Sequence, residues 1–345
     1  MIAVVALFLT LTASAVLASE SAPAPLPTGG QGSAAILSAC WTPEQLAGRA
    51  EERLIQRRLK PDREPPPDWA VEAARAAAHP LPQTQRGSIR EVEPADPQAR
   101  LVALTFDLCE QAGERAGYDA GVVDWLRGHG VKATFFAGGK WMRTHAERAM
   151  QLMADPLFEL GNHGWTHANL RTTPRSAARD QILDTQAQYG VLRRELAGRA
   201  CAAGAGRDDW ARIPAWPSLF RFPYGTCSAE TLSEAADLGL ASIQWSVVSA
   251  DPDKSQDAQA IARTVLAGVR RHRGAIVVAH ANGRGWHTAK ALPLFVPQLQ
   301  AEGYRFVTAS ELLAAGQPVA ADTCYELRPG DNRRYDKPQV RGGGQ

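Results

Sequence analysis

An excess of charge of either sign is missing from this sequence. Its 345 residues carry 38 lysines and arginines against 36 aspartates and glutamates, a formal net charge of +2, which gives no basis for a nucleic-acid partner or for attraction to an anionic membrane. Long apolar runs are nearly missing too. One opens the chain, MIAVVALFLTLTASAVLA at residues 1–18, and it is short for a spanning helix. Small residues close it, with Val16 and Ala18 placed before a cleavage point, so it reads as a secretion signal, although the positive residues that usually precede the apolar run are lacking. The expectation is an exported protein, periplasmic or extracellular, whose mature form has no membrane span, with a membrane anchor as the less favoured alternative. No tandem repeat and no phosphate-cradling glycine-rich loop is evident. Cysteine is sparse and odd in number: Cys40, Cys109, Cys201, Cys227 and Cys324 leave at least one thiol unpaired or metal-bound in an oxidising compartment.

What is present is a foldable composition, 45% hydrophobic and 21% charged, able to bury one large core or two smaller ones. Residues 19–97 read as an extension of the core: a Pro-rich linker, a helix starting at Thr42, Pro43 and Glu44 and running through Leu59 to stop before Pro61, and a second break in PDREPPP. The polar segment 317–345, ending in RGGGQ, reads as a tail that lies over the surface or is disordered. Between them, over 98–316, apolar or β-rich runs at 101–107, 132–137, 157–162, 219–223, 240–248, 274–280 and 304–308 alternate with helical patterns. The longest helix starts at Thr173 and Pro174 and aligns Ala178, Ile182, Tyr189, Leu192 and Leu196 on one face. Others follow Asp257, with Ile261, Val265 and Val269, and Thr288, with Leu292, Phe295 and Leu299. Strand and helix alternating about seven times predict an α/β fold of parallel strands joined by crossovers, a closed or nearly closed (β/α) barrel ahead of an open doubly wound sheet.

In such folds the site collects at the carboxyl ends of the strands. The residues there are Asp107 in TFDLCE, His163 in GNHGWTH, Arg221 in FRFPYG, Asp251 after WSVVSA, and His280 in IVVAH. His163 and His167 stand four apart, which on a helical turn would put both imidazoles on one side to share a cation. His280, behind four apolar residues, suits a general acid whose pKa lies near neutrality, and Asp251 could pair with it and favour its charged form. Arg221 reads as a salt-bridge partner or as the cation that orients a catalytic carboxylate.

Taken together and in order, TFDLCE, HGWTH, RFPYG, WSVVSAD and IVVAH followed by TAKALP resemble the successive motifs of polysaccharide deacetylases with a NodB-homology domain, also called carbohydrate esterase family 4. The likeness spans roughly residues 100–315 and implies a distorted (β/α) barrel, one divalent metal, usually zinc, and removal of acetyl groups from amino sugars or acetylated polysaccharides. It implies His163 and His167 as metal ligands, Asp107 as general base, Arg221 as the group that steadies it, the Tyr224 backbone N–H as an oxyanion donor, His280 as general acid and Asp251 as its tuning partner. The partner implied is an acetylated oligo- or polysaccharide, carried by N- or O-acetyl groups. Among the tryptophans near strand ends, Trp141, Trp165, Trp245 and Trp286, the one in the ANGRGWHT loop, Trp286, is the candidate for packing on a sugar face.

One position departs from the pattern. The family's first motif reads Thr-Phe-Asp-Asp-Gly, with the second aspartate on the metal, and here that place is held by Leu108, which ligates nothing. Three substitutes are open: Cys109, which period-two alternation turns to the side of Asp107; Asp107 itself, with Glu110 as base; or Glu110, with Asp107 as base. A Cys109–Cys227 disulfide would exclude the first. Leu108 also keeps open a site with no metal at all, and a carbohydrate-binding protein that retains the barrel without catalysis.

Overall fold

The computed structural model describes residues 32–336. The apolar leader at 1–18, the linker to residue 31 and the last residues from 337 on lie outside the described residues. Seven strands close a barrel: β1 (Ser88–Pro94), β2 (Leu101–Leu108), β3 (Ala133–Ala137), β4 (Phe158–Asn162), β5 (Leu219–Phe220), β6 (Ala241–Ile243) and β7 (Gly274–His280). Around the ring β2 pairs with β3, β3 with β4, β4 with β5, β5 with β6 and β6 with β1, all in parallel, and β7 returns parallel to β2. The seam between β1 and β7 is the exception to the expected all-parallel arrangement, an antiparallel bridge of Ala275 with Glu91.

Strand β1 lies in the stretch expected to be an extension, so a boundary at residue 98 cuts the barrel. Its sequence, SIREVEP, buries Ile89 and Val92 between charged neighbours and therefore shows no apolar run. The segment Gly316–Ala321 pairs antiparallel along β1, so the start of the expected tail is also sheet. The expected run at 240–248 splits into β6 and a short Val247–Val248 strand beside β7, and the last run, Arg305–Val307, extends the edge of β2.

Alternation along β2 sorts its side chains. Val102, Leu104, Phe106 and Leu108 pack into the core under the surrounding helices, with Val122, Phe135, Trp141 and Leu292. Leu101 and Ala103 face the barrel interior with Phe136, Ile243, Ile276 and Val278. The interior face therefore ends on Asp107, and in the parallel register Asp107 is the direct partner of His280 on β7. The long helix Arg175–Ala197 buries Ala178, Ile182, Tyr189, Leu192 and Leu196 as the periodicity predicts. Ala258–Val269 and Thr288–Ala301 likewise bury their expected stripes, the first capped by Asp257.

The N-terminal helix is shorter than expected. It starts on a capping box of Thr42 and Gln45 but ends at Leu46. The guanidinium of Arg148 takes the carbonyls of Gln45, Leu46 and Ala47, which a continuing helix would have used, and Gly48 lies so close to Ala120 that a Cβ there would stand 2.2 Å from the alanine methyl. Tertiary contacts thus override local propensity. A Cys40–Cys201 disulfide ties this region to the barrel's helices, and Cys227–Cys324 ties the C-terminal segment to the barrel mouth. The second bridge replaces the Cys109–Cys227 pairing weighed from the sequence, and Cys109 remains a free, buried thiol.

Candidate active site

The carboxyl ends of the strands open into a cleft of about 1190 Å³ lined by Asp107, Cys109, His167, Tyr224, Asp251 and His280. Its side walls come from the two flanks of the chain: Arg57 to Leu59 and Pro61 on the N-terminal side, Glu326, Leu327 and Tyr335 on the C-terminal side. His163 lies beneath the floor, fully buried.

The two histidines meet as expected, but not on a helical turn. The chain from His163 to His167 is irregular, and His167 has a left-handed backbone with φ of 55°, which brings the ring centroids to 5.1 Å. His163 Nδ1 lies 2.8 Å from the Arg221 carbonyl, so that nitrogen carries the proton and Nε2 holds the free lone pair. That Nε2, like Nδ1 of His167, is buried without a hydrogen-bond partner. The Tyr224 ring packs against His167 with centroids 4.3 Å apart and planes tilted by 55°, and Tyr224 also sits in a left-handed conformation, φ 59°.

Unpartnered buried nitrogens are costly unless something binds them. Donor atoms of Cys109, His163 and His167 lie within 4.8 Å of one another, the group among the described residues able to hold a metal ion. Zinc at about 2.0 Å from nitrogen and 2.3 Å from sulfur fits three such donors and leaves a fourth position open. The residues present therefore suit a divalent metal.

Asp107 stands beside that cluster. Its Oδ1 accepts from Arg221 Nη1 at 2.9 Å, and its Oδ2 is 3.6 Å from His163 Nε2. Arg221 is buried and has its other donors on the carbonyls of Ile243 and Gln244, so it is fixed in place. Burial pushes the Asp107 pKa up, but His163, Arg221 and His280 outweigh it and hold the carboxyl below its usual range. Across the cleft, His280 Nδ1 is 2.9 Å from Asp251 Oδ1, and Asp251 Oδ2 accepts from the His280 backbone N–H and from the Thr288 hydroxyl. Burial alone would discharge His280; the Asp251 carboxylate reverses this and, with Asp107 and Cys109, raises its pKa to about 9. Burial, with Arg284 nearby, instead lowers His167 to about 3, which keeps its imidazole neutral.

Glu110, the other candidate from TFDLCE, is not in the cleft. Its carboxylate is completely buried, accepting from Lys140 Nζ at 2.5 Å, the Ala116 N–H at 2.8 Å and the Thr144 hydroxyl at 3.0 Å. Both oxygens are spent, so Glu110 is neither ligand nor base. Trp286 is not brought to the cleft either: it is exposed at the surface with Lys254 Nζ over its ring. The tryptophan that lines the cleft is Trp245, its indole N–H donating to the Glu326 carbonyl, while Trp141 and Trp165 are buried in the core. Two further cleft residues escaped the sequence reading, Glu114 and Arg284, which form an ion pair at the rim. A cation in ANGRG just after the His280 strand was the available signal for Arg284.

Comparison with known proteins identifies the relatives of the chain. The polysaccharide deacetylase family model matches residues 95–193. A peptidoglycan-N-acetylglucosamine deacetylase of Listeria monocytogenes is 31% identical over 222 residues, 64% of this chain and 41% of that protein. A chitooligosaccharide deacetylase of a Bradyrhizobium species is 29% identical over 218 residues, 59% of this chain and 87% of the relative. The chain thus spans less than half the length of the Listeria relative. Among solved structures, a peptidoglycan N-acetylglucosamine deacetylase superposes with a TM-score of 0.53 at 26% identity, over 66% of this chain and 93% of the other. A CE4 family pseudoenzyme from Bacillus anthracis superposes at 0.51 and 26% identity, over 66% and 69%. The barrel is that of carbohydrate esterase family 4, and the chain belongs to the polysaccharide deacetylases with NodB homology. Among the described residues no helix is long and apolar enough to cross a membrane.

Proposed function

We propose that the protein is a metal-dependent hydrolase that removes acetyl groups from N-acetylated amino sugars or acetylated polysaccharide, a cell-wall or extracellular glycan. The observation that carries this reading is the convergence, in one cleft, of unpartnered imidazole nitrogens on His163 and His167 with a carboxylate held by Arg221 and an imidazolium held by Asp251. His163 and His167 hold the ion, most simply zinc, with a third donor from the end of β2. When bound, the ion polarises the acetyl carbonyl and acidifies water. Asp107, low in pKa and anchored at one oxygen, accepts the water's proton, and Arg221 keeps the carboxylate aimed. His280, charged at neutral pH, returns a proton to the departing amine or alcohol, and Asp251 keeps it charged. The Tyr224 backbone N–H is the proposed donor to the developing oxyanion. The two disulfides support an oxidising compartment and hence export.

The names of the relatives, peptidoglycan and chitooligosaccharide deacetylases, point to N-acetylglucosamine polymers as first substrates. Leu108 favours a second reading, a binding protein without turnover, and a pseudoenzyme stands among the structural neighbours. Pure binding gives no reason to keep base, acid and metal donors together. Acetate release from peptidoglycan fragments and chitooligosaccharides, measured on metal-loaded and chelator-stripped protein, tests the proposal. Release by the loaded form alone is the expected result; loaded protein that binds the glycans and frees no acetate would leave the binding reading.

A further inference from the structure

We propose that Cys109 is the third metal donor, a thiolate oriented by Asn282, and that the site therefore takes a thiophilic divalent cation of the zinc type in preference to magnesium or manganese. The inference rests on the reading of the cleft as a metal site and adds the chemistry of its donor set.

The side chain at position 108 cannot serve. Leu108 points into the helix-packed core with no exposed surface, so the aspartate of the family pattern would be buried there among apolar groups. Cys109 is the next residue, and its sulfur belongs to the group formed with His163 and His167. Among the described cysteines the other four are consumed in two disulfides, which leaves Cys109 as the free thiol, 2% exposed. The buried His163 Nε2, its tautomer set by the Arg221 carbonyl, is the independent sign that a ligand belongs between them. Asp107 is not a member of that group, and Arg221 already engages one of its oxygens.

Asn282 supplies the support a thiolate ligand needs. It is fully buried, and its Nδ2 donates to the Cys109 carbonyl at 2.7 Å and to the Cys109 sulfur at 3.1 Å. Its Oδ1 accepts from the Arg284 N–H, which fixes which end of the amide faces the sulfur. A donor on a metal-bound sulfur orients the ligand and tempers its charge. Thiolate with imidazole selects zinc-like ions, whereas carboxylate and water suit magnesium and manganese.

Cobalt(II) added to the metal-stripped full-length protein is the probe. In wild type we expect a thiolate-to-cobalt charge-transfer band in the near ultraviolet that persists in excess magnesium or manganese and is displaced by zinc. Cys109→Asp should retain the visible ligand-field bands and lose the charge-transfer band. Asn282→Ala should keep the band with cobalt affinity lowered about 10–100-fold. Cobalt-loaded wild type with ligand-field absorption and no charge-transfer band overturns the thiolate assignment and leaves the metal site standing. Wild type that takes up no cobalt and no zinc overturns both readings. Bleaching of the band by magnesium or manganese overturns the metal preference.

Discussion

Asp107 and Glu110 leave the same strand three residues apart and enter opposite surroundings. Asp107 and Cys109 face a cleft in which buried nitrogens of His163 and His167 have no partner. Glu110 faces a closed pocket in which Lys140, Thr144 and the Ala116 amide satisfy its carboxylate. Both regions are buried and charged, so burial of charge does not by itself mark a functional site. The distinguishing feature is open valence. A pocket whose donors and acceptors are all matched stabilises a fold, while one that leaves lone pairs aimed at each other is built for a missing group.

That contrast predicts a split between activity and stability. The largest effect is expected in the cleft: Asp107→Asn and His280→Ala should each reduce acetate release about 10²–10⁴-fold, the range of a general base or acid, with the thermal midpoint little changed. Steady-state rates together with thermal melts check this. Either variant turning over at the wild-type rate removes its residue from the mechanism.

In the closed pocket the expectation is reversed. Glu110→Ala leaves the Lys140 ammonium buried without its partner, and removal of one member of a buried ion pair costs about 3–5 kcal/mol. Chemical denaturation should show that loss, with turnover per folded molecule close to wild type. Glu110→Gln, which keeps oxygen and nitrogen in place of the carboxylate, should fall between the two. A stable Glu110→Ala protein that has lost its metal would put Glu110 in the site and erase the contrast.

The sequence made the cleft more legible than its frame. Asp107, His163, Arg221, Asp251 and His280 were visible because each follows an apolar run, and strand ends in this architecture converge. The strand β1 was not, since SIREVEP gains its place from pairing with β6 and β7 and not from apolar character. The spacing of His163 and His167 predicts a shared helical turn, whereas an irregular loop with a left-handed residue brings the rings together. Cysteine pairing was open in the sequence because Cys227 and Cys324 lie 97 residues apart and meet only once the C-terminal segment crosses the barrel mouth. Trp286 and Trp245 looked alike as tryptophans near strand ends, and only the packing of Glu326 over Trp245 separates cleft wall from outer surface.

The smallest predicted effect lies within the cleft and concerns its two halves. Asp107 is held low and His280 is raised to about 9, so a base and an acid are both in working form across neutral pH. For His280 the folded pKa is above the unfolded value of about 6.5. Its interaction with Asp251 therefore contributes stability in full below that value and loses it as pH rises through about 9. In the proposed mechanism the same proton serves the leaving group, so the alkaline limb of kcat/KM should fall near pH 9. Asp251→Asn removes the carboxylate that opposes burial of the charge, and the limb should move down toward, or below, the ordinary histidine range of about 6.5. At pH 6 the variant should retain a larger share of wild-type activity than at pH 8. A pH–rate profile on both proteins settles it, and an alkaline limb that stays in place in Asp251→Asn would assign the titrating proton to a group other than His280.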